Sequence, residues 1–175
     1  GLAISESMRT QLRGLQQAER NSQDAISLIQ TAEGGLQEVT NVLSRMRELA
    51  VQAANEGTMD ATQRGYLHQE FDLLESELNR IVNVTEYNGQ QLIDGTASAG
   101  LSFQIGMRNS DNDRISISLN SVNATSLGLD DEALSTASQA QAAITALDAA
   151  LTLVNTERGT LGATQNRLEM TISNL

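Results

Sequence analysis

Apolar side chains recur at alternating steps of three and four from Leu15 to Ala53, and no proline interrupts them or any other part of the chain. Proline removes a backbone donor and clashes with the preceding turn, so its absence leaves a very long helix unopposed. The stripe consists of Leu15, Ala18, Ala25, Ile29, Ala32, Leu36, Val39, Leu43, Met46, Ala50 and Ala53, with Ser22 in its one polar slot. Leu28, Val42 and Leu49 lie beside it and widen it, which predicts contact with more than one neighbour. The pattern calls for a helix over about residues 2–55. Gly34-Gly35 should cost about 1 kcal/mol each against Ala and predicts a bend, not a break. About 50 helical residues at about 1.5 Å each span on the order of 75 Å. A globule of this length would be only about 40 Å across. The molecule must be elongated.

Asn55-Glu56-Gly57-Thr58 reads as a turn, because Asn and Gly tolerate the left-handed conformation that ends helices. A second helix follows over about 60–82, with Leu67, Phe71, Leu74, Leu78 and Ile81 on one face, running back antiparallel to the first. The region over about 85–129 changes period. Asn88-Gly89 and Asp94-Gly95 are turn dipeptides. Leu101, Phe103, Ile105 and Met107, then Ile115, Ile117 and Leu119, alternate around a polar loop, which predicts a β-hairpin packed on the rod. A last helix is expected over about 130–175, with Asp130, Asp131 and Glu132 in its first turn, where acids complement the helix dipole. Ile144, Leu147, Leu151, Val154, Leu161, Leu168, Ile172 and Leu175 hold its heptad, and Arg158 and Gln165 occupy core-type slots within it. The fold class is therefore mainly α: an elongated antiparallel bundle of three helices with a small β-hairpin region, and residues 1–175 read as a single rod domain.

Composition excludes several functions. The formal charge of −11, from 22 acids against 11 bases, repels nucleic-acid phosphates and anionic membranes. Without cysteine there is no disulfide and no thiolate metal site. No apolar run is long enough to span a bilayer, and no signal peptide opens the chain. With two Phe, two Tyr and no Trp, the interior must be aliphatic, which suits a thin seam between helices. Both ends read as cut from a longer chain, since neither carries a helix start or stop signal.

Catalytic constellations are missing. The lone histidine, in His68-Gln69-Glu70, has no Pro-Cys-x-x-Cys or second histidine to make a zinc site, and reads as a solvated side chain. Asp111-Asn112-Asp113 is followed by Ser116 and Val122, where a calcium loop needs Gly and Glu, so it reads as a turn. The sequence points to no cofactor, no metal and no enzymatic activity. What remains is surface. Arg45, Glu48 and Gln52 share one face of the first helix, bordered by Leu49. Spacing alone leaves two readings: a solvated stripe with a salt pair, or a partner site.

Leu43-Ser44-Arg45-Met46-Arg47-Glu48-Leu49-Ala50-Val51-Gln52-Ala53-Ala54-Asn55 closely resembles the signature helix of bacterial flagellins. Ile26 to Leu36, Thr85 to Gly95, Phe103-Gln104-Ile105-Gly106 and Leu161 to Leu168 continue the resemblance in order along the chain. It implies the α-helical rod of a short flagellin, without outer domains, since Ser126-Leu127-Gly128-Leu129 leads almost directly into the last helix. It also implies that the terminal polymerisation helices are missing. A secreted subunit of the extracellular flagellar filament is expected, exported without a cleaved signal. Its partners would be other flagellin subunits and an export chaperone acting through the missing terminal segment. The resemblance further implies recognition by Toll-like receptor 5 through Arg45, Leu49 and Gln52, with Glu70 on the second helix and Arg167 near the end. Glu48 belongs to the same stripe. Ser44 stands where such sequences often have Gln. The same surface would serve protofilament contacts, so recognition would need free monomer. A hook–filament junction protein is the alternative, which the hairpin and Gln165-Asn166-Arg167 match less well.

Overall fold

The computed structural model describes all 175 residues. Helix α1 runs unbroken over Leu2–Ala53, α2 over Ala61–Val84 and α3 over Ala137–Ser173. Between α2 and α3 lie two small antiparallel pairs: β1 (Glu86–Tyr87) with β2 (Gln90–Gln91), and β3 (Leu101–Gln104) with β4 (Arg114–Ile117). At about 1.5 Å per residue α1 is nearly 80 Å long, so the molecule is a rod.

The expected a/d stripe of α1 is the seam. Ala25, Ile29, Ala32, Leu36, Val39, Leu43, Met46, Ala50 and Ala53 are all fully buried, while Leu15 is half-buried. Ser22 tolerates burial because its hydroxyl donates to the Ala18 carbonyl at 2.9 Å, leaving no polar atom unpaired. α3 lies antiparallel against α1, pinned by Arg47 Nε to Asp148 Oδ1 at 2.7 Å. Its buried positions include Ala140, Ala143 and Ala150, whereas Ile144 and Leu151 are only half-buried. Small residues on both helices let the two backbones approach closely. α2 returns along another side of α1 and places Phe71, Leu78, Ile81 and Val82 in the same core. Leu28 and Leu49 are buried and Val42 is packed against the core, as the widened stripe required of a helix with two neighbours.

Gly34 and Gly35 do not break α1, and they differ from each other. A Cβ at Gly35 would lie 2.7 Å from Thr85 Cγ2, whereas nothing approaches Gly34. Gly35 lets the segment leaving α2 pass directly over α1. Asn88 and Gly89 both have positive φ, so the β1–β2 turn is a hairpin in its own right, where the sequence suggested only a turn. The β3–β4 hairpin pairs Leu101 with Ile117 and Phe103 with Ile115. Asp111–Asp113 forms a single 3₁₀ turn inside its loop.

Two expectations need correction. α3 begins at Ala137, not near residue 130. Thr136 Oγ1 accepts from the Gln139 N–H and Gln139 Oε1 from the Thr136 N–H, a capping box that fixes the start. Asp130, Asp131 and Glu132 therefore lie in a strap before the helix, not in its first turn. The second concerns His68, which is half-buried and holds that strap. Its Nδ1 accepts from the Leu134 N–H at 3.3 Å, which leaves Nε2 as the donor facing Asp72 Oδ2 at 3.3 Å. Asn79 Oδ1 fixes the strap's other end by accepting from the Ala124 N–H at 2.9 Å.

Candidate functional site

The stripe on α1 becomes a connected charge network once α2 is in place. Arg45 Nη1 donates to Glu48 Oε2 at 3.1 Å, one turn on. Arg45 Nη2 donates to both carboxylate oxygens of Glu70 on α2, each at 3.1 Å. The hydrogen bond to Glu70, then that to Glu48, holds the Arg45 guanidinium above its already high ordinary value, so it is charged at any working pH. All three side chains remain about half exposed or more. They offer an incoming partner a cation already oriented between two carboxylates. Such exposed pairs add little to stability, so the network matters more for shape and charge presented than for folding.

Arg47, two residues away, points to the opposite side of α1 and pairs with Asp148 of α3. The helix therefore uses neighbouring arginines to bridge to different partners. Residues i and i+2 on a helix cannot face the same neighbour, and that was the signal available for Arg47 in the sequence.

Of the six side chains singled out, Arg45, Glu48 and Glu70 are brought together. Gln52 is exposed on the same face, one turn beyond Glu48. Leu49 lies in the core, as the widened stripe required, and is only 1% exposed, because α2 covers the side of α1 on which it lies; it is therefore no surface contact in this arrangement. Arg167 is exposed but distant, nineteen residues beyond Asp148 on α3 and so about 30 Å further along the rod. No three His, Asp or Glu side chains converge as a metal site would require. No helix is long and apolar enough to cross a membrane. The arrangement presents charge and shape, with no buried nucleophile, acid or base.

Residues 1–98 match the family model for the bacterial flagellin N-terminal helical region. The flagellin of Halalkalibacterium halodurans is 47% identical over the whole chain, which spans 64% of that protein. The flagellin of Bacillus subtilis is 42% identical, again over the whole chain, which spans 67% of that relative. The chain thus covers about two thirds of the length of these relatives. Among solved structures, Bacillus cereus flagellin superposes with a TM-score of 0.78 at 34% identity, covering 90% of this chain and 89% of that one. A protein described as a flagellar hook-associated protein of Vibrio parahaemolyticus reaches a TM-score of 0.79 at 14% identity, covering 99% and 89%. The latter shows shared fold alone.

Proposed function

Because the chain belongs to the bacterial flagellin family, we propose that it is the rod segment of a flagellar filament subunit, acting outside the cell as one copy among many in a motility polymer. Its role is structural. The observation that carries this reading is the unbroken 52-residue α1, flanked along its later part by α2 and α3 on different sides through an aliphatic seam. A stiff rod with an aliphatic interior transmits load along its axis, and the polar, half-exposed network on its flank needs no substrate to be stable. The hook–filament junction alternative shares the fold. Identity above 40% to flagellins over the whole chain favours the filament.

The test is a chimera in which this chain replaces its counterpart in Halalkalibacterium halodurans flagellin. Filaments visible by electron microscopy and restored swimming are the expected result. A chimera that is folded and exported but never polymerises would remove the reading.

A second reading is supported by the Arg45–Glu48–Glu70 network and by exposed Gln52: that the free rod is a ligand of Toll-like receptor 5, with Leu49 shaping the contact from beneath and Arg167 engaging separately. Titration with the receptor ectodomain should give saturable binding, weakened at least about tenfold by Arg45→Ala and unchanged by Arg47→Ala. If the unsubstituted chain does not bind, this reading falls while the filament reading stands.

A further inference from the structure

His68 holds the strap before α3 through a bond that only its uncharged ring can make. Its Nδ1 accepts from the Leu134 N–H, so that nitrogen carries no proton, and the ring's one proton sits on Nε2 facing Asp72 Oδ2. A protonated imidazole has two donors and no acceptor, and would set an N–H against the N–H of Leu134. Histidine is also the side chain whose ordinary titration falls between about pH 5 and 8. The chain contains one histidine, and this is where it stands.

The strap runs along α2 in the opposite direction, with Ala124 at Asn79, Asp130 near Glu75 and Leu134 at His68. That course gathers Asp72 and Glu75 of α2 and Asp130 of the strap beside the ring, with Asp131 and Glu132 following toward Leu134. The cations of this stretch are engaged elsewhere. Arg64, one turn before His68, is held by the Ala53 and Asn55 carbonyls. On α1, Arg45 is paired with Glu48 and Glu70, and Arg47 with Asp148 of α3. A charged ring therefore has carboxylates to turn to. The bond it gives up is neutral and, at 3.3 Å, long. Those it gains are charge-assisted and roughly twice as strong. The exchange favours turning away from Leu134. That residue's side chain is fully buried, so its released N–H finds a partner only if the strap lifts to admit water.

We propose that His68 is an acid-sensitive latch: protonation of its ring exchanges the Leu134 N–H for Asp72 and the neighbouring carboxylates, and frees the strap over residues 130–135 while the three-helix seam stays closed. The inference stands apart from the filament and receptor readings, since neither invokes the strap.

Nuclear magnetic resonance on the whole isotope-labelled chain tests it. Near pH 8 the ring should carry its proton on Nε2 and none on Nδ1. As pH falls to about 5, protection of the Leu134 amide, corrected for intrinsic exchange, should drop about tenfold in step with the ring's own titration. The amides of Phe71 and Leu78, in the seam, should stay protected. His68→Asn sets an amide oxygen close to the place of Nδ1 and should keep the Leu134 amide protected at both ends of the range. Asp72→Asn leaves the latch's acceptor in place but removes a carboxylate, and should delay release to lower pH. A neutral ring protonated on Nδ1, a Leu134 amide indifferent to the ring's titration, or the same acid loss in His68→Asn would overturn the proposal. So would simultaneous loss of protection at Leu134, Phe71 and Leu78, which is acid unfolding of the bundle and not release of the strap.

Discussion

One helix, α1, contains both the most buried and the most exposed large apolar residues of the chain. Leu36 and Leu43 are fully buried, whereas Leu2 is 80% and Met8 64% exposed. All four lie in the same continuous helix. The difference is the neighbours: α2 and α3 flank the later part, and neither reaches the first turns. Helical pattern alone therefore does not determine stability. An isolated helix of a dozen or so residues is marginal in water, so the first turns of α1 rest on the bundle that nucleates the remainder.

The largest expected contrast sets Phe71→Ala against Met8→Ala. Phe71 is fully buried against the covered half of α1, and truncating it should cost about 3–5 kcal/mol in urea unfolding. Met8→Ala should stay within about 0.5 kcal/mol. Comparable losses at both sites would break the comparison. The adjacent glycines sharpen it. Gly35→Ala forces a Cβ against Thr85 and should destabilise by about 1–3 kcal/mol, whereas Gly34→Ala, with open space around it, should stabilise by about 0.5–1 kcal/mol. Next is the point where α3 begins to cover α1. Thr136→Ala removes the cap and should cost about 1 kcal/mol by thermal unfolding, while Asp131→Asn, outside the helix, should change almost nothing.

The smallest effect is a pH dependence on α2. Burial, then the nearby Asp72 and Asp130, raise the Glu75 carboxyl above its ordinary value, with His68 opposing them. The folded form thus holds that proton more tightly than the unfolded chain does. Stability from Glu75 is fully present below the unfolded carboxyl pKa and is lost as pH rises through the folded one. At neutral pH, Glu75→Gln should stabilise by about a few tenths of a kcal/mol, given solvent screening, and the gain should vanish in acid. A gain that persists unchanged in acid would contradict this origin.

The sequence disclosed what is periodic and local. The seam of α1, the position of the turn at Asn55–Thr58 and the β3–β4 hairpin were all readable, because heptad spacing, turn residues and alternation each act within a few residues, although neither Asn55 nor Gly57 takes up the left-handed conformation expected there. The start of α3 was also written locally, in Thr136-x-x-Gln139, but the acidic triplet Asp130–Glu132 imitates a helix start and drew the boundary forward. What holds the triplet in a strap is tertiary: His68 on Leu134 and Asn79 on Ala124, 66 and 45 residues apart. The site divides the same way. Arg45–Glu48 follows from helical spacing, but the link to Glu70, 25 residues on, required α2 to be placed. The same placement buries Leu49, which spacing could set beside the stripe but not beneath it.

The most direct measurement is hydrogen exchange along α1, read residue by residue at neutral pH. Amides from about Ala25 to Ala53 should exchange only through global unfolding, and those before about Gln17 should exchange orders of magnitude faster, with the boundary where the neighbours begin. Uniform protection from the first turn to the last would contradict the account, because the helix would then be stable without the bundle that is held here to make it so.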